Sequence, residues 1–188
     1  MEAITTKRQV DKRWSEVRTV LATQGPAQVL AVVRDLYELG GENRDFLNAR
    51  CLAAANRLEP YKRTIGAAIY PDVYRGKTVR VSAARKAISQ YTKATEDHAG
   101  TLELMVYFVE RGNQFTVNFG DIDEGFYSSL SSMFGCILEM LKRSDAESVE
   151  SLVPRLIAIR DAANGIGWGY HDYLREALSR AFPNTTGE

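Results

Sequence analysis

The sequence is poor in the residues from which metal and redox centres are built, with 2 cysteines and 2 histidines in 188 residues. Cys51 and Cys136 lie far apart, in apolar helix-patterned runs (47–55 and 134–141), so they fit neither a close metal-binding pair nor a disulfide framework, and buried reduced thiols are expected. Net charge is missing as well. The 24 basic and 24 acidic side chains cancel, which removes the long-range field that draws many proteins to nucleic acid or to a membrane surface. The longest uncharged run of note, 125–138, is too short and too rich in serine to span a bilayer. Behind Met1 to Arg8 no apolar stretch follows, so no secretory leader is expected, and the expected location is cytoplasmic.

What the chain does contain is apolar spacing of three and four residues, the signature of amphipathic helices. The expected fold is all-α: one domain, an irregular bundle or short array of eight to nine helices, with a possible seam at 70–80. A first helix (7–23) carries Val10, Trp14, Val17 and Leu21 on one face, and Gly25-Pro26 separates it from a second with Val29, Val33, Leu36 and Tyr37. A third (43–58) is expected to bury Phe46, Leu47, Cys51 and Leu52, and Pro60 to mark a break before a fourth (61–69). Ser82 is placed as the cap of a fifth helix reaching about Thr95, with Ala84, Ala87, Ile88 and Tyr91 inward. The run 101–111 is apolar nearly all round and belongs at the centre, with Gly112-Asn113 as its stop. Phe115 to Phe119 alternates like a strand. Phe126, Leu130, Met133, Phe134, Ile137, Leu138 and Leu141 define the cleanest amphipathic helix. Two more follow, around Leu152 to Ile157 and from Tyr170 to Phe182, before a tail (183–188) expected to fray.

Polar residues gather in three places. Asp121, Asp123 and Glu124 open the cleanest helix, where carboxylates complement the free N–H groups; Asp121 and Glu124 have capping-box spacing, and the alternative is a divalent cation on these oxygens. Gly165-Ile166-Gly167-Trp168-Gly169-Tyr170-His171-Asp172 reads as a tight interhelical corner, with His171 as acid/base beside Asp172 in the catalytic alternative. Arg75, Lys77, Arg80, Arg85, Lys86 and Lys93 form a tract with no acid among them, either a solvated face or a phosphate-tracking surface.

The strings Gly76 to Ile88, Gly120-Asp121-Ile122-Asp123-Glu124 with Phe126-Tyr127 and Ser129-Leu130, and Gly165 to Asp172 resemble an uncharacterised family of small helical bacterial proteins, a domain of unknown function. That resemblance implies a bacterial, soluble, mostly helical protein, and carries no activity or cofactor. It sharpens one expectation, that the acidic loop, the glycine-rich corner and Arg80, Arg85 or Lys86 meet in one polar pocket. With no complete nucleophile, base or metal constellation and no cofactor motif, the leading expectation is a non-catalytic helical module with a protein partner. The alternatives are a metal- or phosphate-handling hydrolase using 121–124 with His171 and Asp172, and a nucleic-acid binder using 75–93. Candidate ligand-binding residues are Arg75, Lys77, Arg80, Arg85, Lys86 and Trp168. Oligomeric state is left open.

Overall fold

A computed structural model describes residues 2–52, 57–167 and 169–183, with side chains from residue 12 onward. Trp168, residues 53–56, the tail 184–188 and the Val10 side chain lie outside the described residues. The elements are α1 (Glu2–Ala22), α2 (Pro26–Leu39), α3 (Gly41–Cys51), α4 (Glu59–Ile69), a 3-10 turn (Val73–Arg75), α5 (Val81–Thr95), α6 (His98–Phe119), α7 (Glu124–Leu141), α8 (Ala146–Ala162) and α9 (Tyr170–Ala181). No strand occurs among the described residues, and the all-α array of eight to nine helices is the architecture. By contact the chain divides into two compact units, Met1–Leu47 and Asn48–Glu188, and the 70–80 segment lies inside the second.

In the first unit Pro26 opens α2, and the Gln28 side chain accepts from the Gly25 N–H at 2.9 Å, closing the helix start. The apolar spacing read from the sequence is present, but no residue of α2 is buried.

The second unit is built on α6, which packs against α4, α5, α7 and α8, while α9 packs against α7 and α8. Phe108, Leu104, Val106 and Val109 of α6 are fully buried, as expected for a helix apolar nearly all round. Its start is fixed by Asp97, whose carboxylate accepts from the Gly100 N–H at 2.9 Å. Gly112 is not a stop. A Cβ there would come within 2.4 Å of Leu130 Cδ2, so this glycine lets α6 and α7 approach closely, and the helix runs on to Phe119. The strand-like 115–119 is therefore helical. Residues 115 and 119 are four apart, a spacing that period two and the helical turn share, and their rings stack at 4.9 Å.

Other expectations are corrected as well. α3 ends at Cys51, and both cysteines and Leu52 are exposed rather than buried. Pro60 sits in the first turn of α4, a position where its missing N–H costs nothing, instead of marking a break. Arg80, not Ser82, holds the N-cap position of α5, with its N–H donating to the Ala68 carbonyl at 2.8 Å.

Candidate functional site

The acidic loop and the glycine-rich corner meet. Gly165 and Gly169 adopt left-handed φ values of 81° and 70°, conformations that L side chains rarely take. Gly167 lies between them, and a Cβ on it would come within 2.9 Å of Asp121 Oδ2. The Asp121 carboxylate accepts from the Tyr127 hydroxyl at 2.5 Å, and the Tyr127 ring lies 5.4 Å from that of Tyr170. Burial first, and then the neighbouring Asp121, push the Tyr127 hydroxyl well above the tyrosine range; burial does the same to Tyr170. Both phenols stay neutral. The Tyr170 oxygen is buried without a hydrogen-bond partner.

This junction assigns roles to the expected catalytic residues. Asp123, not Asp121, is the cap of α7, accepting from the Phe126 N–H at 2.8 Å. Glu124 is the first residue of α7 and is exposed. Asp172 pairs with Arg175 at 3.1 Å on the surface of α9, and His171 beside it is half-buried. Among the described residues no three His, Cys, Asp or Glu side chains gather where a metal could be held. Asp121 accepts from a tyrosine hydroxyl and Asp123 from a backbone N–H.

The basic tract breaks into separate pieces. Arg75 pairs with Asp72 at 3.3 Å. Arg85, expected on a solvent face, donates from Nη2 to the Ser129 carbonyl at 2.8 Å and lies over the Phe108 ring, tying α5 to α6 and α7. Lys86 is exposed but engaged in an interaction of its own. Lys77 and Arg80 instead line a cleft of about 830 Å³ between the starts of α5 and α7. Its walls are largely apolar, with Val79, Val81, Phe115, Ile122 and Phe126, and Asp123 and Ser129 line it as well. The three clusters thus converge in two places. Lys77, Arg80 and Asp123 all line the cleft, and Asp121 lies close to Gly167 at the corner.

Two polar centres escaped the sequence. In the first, Arg155 of α8 makes a two-pronged pair with Glu110, both contacts at 2.8 Å, and a further ion pair with Glu103, which Lys62 of α4 also approaches at 2.6 Å. Burial raises the Glu103 carboxyl, but hydrogen bonds from Arg155 and Lys62 outweigh it and hold the group below the ordinary glutamate range. In the second, the Tyr91 hydroxyl donates to Asp97 at 2.6 Å; burial, then this bond, push it up to about 12. The available signal was Glu103 and Glu110, two acids seven residues apart on one stripe of an otherwise apolar helix.

A second candidate surface belongs to the first unit. Trp14 is 58% exposed, and Val17 and Val20 of α1 and Leu30, Val32, Leu36 and Leu39 of α2 are exposed as well, Leu39 at 78%. Among the described residues no helix is long and apolar enough to cross a membrane.

The chain matches no protein-family model, no curated protein and no solved structure.

Proposed function

We propose that the protein is a non-catalytic helical interaction module of the bacterial cytoplasm, which binds a protein partner through the apolar faces of α1 and α2. The observation that carries this reading is the exposure of Trp14, Val17 and Val20 on α1 and of Leu30, Leu36 and Leu39 on α2. Scattered exposed apolar residues are ordinary, but α2 has no buried residue, and Leu30, Leu36 and Leu39 on it are all exposed. A helix the length of α2 is marginal in water unless its apolar side chains pack, and exposed aromatic and aliphatic side chains on helices are the residue types that anchor helix-in-groove recognition. The resemblance to an uncharacterised family of helical proteins belongs to the same proposal.

The hydrolase reading requires Asp121, Asp123 or Glu124 beside His171, whereas the first two hold the junction and the helix start. A nucleic-acid surface requires cations free to follow a backbone, and Arg75 and Arg85 of the tract are tied within the protein.

The test is affinity capture with wild type and with a Leu30→Glu/Leu39→Glu variant, with each captured protein identified and its binding then measured with purified components. The reading expects direct binding weakened at least about a hundredfold in the variant, since a buried unpaired carboxylate costs several kcal/mol. Its melting temperature should be unchanged. Equal affinity of both forms for every identified partner overturns it.

A further inference from the structure

We propose that the cleft between the starts of α5 and α7 binds an organic anion with one carboxylate or phosphate head and an apolar body. Lys77 and Arg80 hold the head, and Val79, Phe115 and Phe126 receive the body. This site lies within the second unit and is independent of the apolar helix faces of the first.

Size comes first. A volume of about 830 Å³ falls within the range of pockets that enclose a small organic molecule, and its wall is largely side-chain carbon. Phe115 and Phe126 are themselves buried, so the wall is rigid rather than a flap of mobile side chains.

Charge then selects the ligand. Lys77 and Arg80 face the same cleft, and among the described residues neither side chain has an ion-pair or hydrogen-bond partner. Two like charges beside one concavity repel, and an anion between them removes that cost. Asp123, the single carboxylate on the lining, already accepts the Phe126 N–H as the helix cap, and it belongs to the loop before α7 whereas the cations belong to the loop before α5. Its charge steers an anionic head toward Lys77 and Arg80. α5 also starts with no side-chain cap and no acid in its first turn, so nothing on that side competes with the ligand head. An inorganic anion would leave the aromatic wall unused, and a neutral apolar molecule would leave the cations unused.

The experiment is an amide NMR titration of the full chain with octanoate and with octyl phosphate, beside acetate, inorganic phosphate and octanol. The proposal expects saturable shifts at residues 78–83 and 122–126 from at least one eight-carbon anion. Octanol and the short anions should each bind about tenfold or more weaker. Lys77→Gln/Arg80→Gln should weaken the anion about tenfold or more, because hydrogen bonds to charged groups are the strong ones, while Lys93→Gln on the far end of α5 should leave it unchanged. Both cations of the double variant are exposed, so its melting temperature should match wild type. If octanoate binds tighter the head is a carboxylate, and if octyl phosphate does it is a phosphate. Binding unaltered in the double variant, octanol matching the anions, or shifts confined to α1 and α2 would each overturn the proposal.

Discussion

α2 and α7 carry apolar residues at the same helical spacing and meet opposite fates. On α7, Phe126, Leu130, Met133, Phe134, Ile137, Leu138 and Leu141 are all buried, whereas α2 has no buried residue at all. The period of a pattern tells that a helix has a face that water disfavours, and is silent about what covers it. In the second unit α6 and α9 cover α7. In the first, the face is open. The buried core lies in the second unit.

The sharpest way to break this contrast is to cut equivalent side chains from both units. Phe108→Ala removes a fully buried ring from α6 and should cost about 3–5 kcal/mol of unfolding free energy. Leu30→Ala on α2 should stay within about 0.5 kcal/mol, as surface changes do. Chemical denaturation of both variants checks the pair, and comparable losses would mean that α2 is packed after all.

A smaller effect is expected at the ion network. Glu103→Gln should cost about 1–2 kcal/mol, allowing for the partial exposure of the group. Because the folded-state carboxyl titrates below its ordinary 4.5, its contribution is complete above that pH and is lost as the pH falls through the lower folded-state value. Stability measured against pH should therefore fall less steeply below 4.5 in the variant than in wild type. Tyr91 works in the opposite direction. Its hydroxyl is raised to about 12, so its contribution is present below the ordinary tyrosine value of 10 and lost as the pH rises through 12. Gly167→Ala forces a methyl group against Asp121 and should cost about 1–2 kcal/mol, with Asp121→Ala in the same chain recovering part of it. The smallest effect concerns the thiols: both exposed cysteines should react with a thiol reagent in the native protein without denaturant.

The helices were legible because their cores repeat at 3.6 residues, and α7 was read almost residue for residue. Gly112 misled because a glycine that ends a helix and a glycine that admits a neighbouring Leu130 look alike in one dimension. The residues 115–119 misled because alternation and helical spacing coincide at every fourth position. Cys51 was placed inside on the strength of a run that α3 does not complete. At the site, a tight interhelical corner at Gly165 to Gly169 was legible from composition, the left-handed turn at Gly169 was not, and the meeting with Asp121 was expected as part of one shared polar pocket. The pairing of Arg155 with Glu103 and Glu110 was not legible, since the partner helix lies some fifty residues away and no local rule connects them. Arg85 shows the same limit: helical spacing placed it on the solvent face, and the carbonyl of Ser129 drew it across to α7.

The central claim, that large apolar side chains of α1 and α2 are exposed in the lone chain, is tested most directly by the fluorescence of Trp14. With Trp168→Phe removing the second indole, emission and acrylamide quenching are recorded in dilute monomeric protein. The account predicts a water-exposed spectrum that is readily quenched, and that shifts to the blue and becomes shielded when the partner binds. A blue, shielded Trp14 in the lone monomer would contradict it.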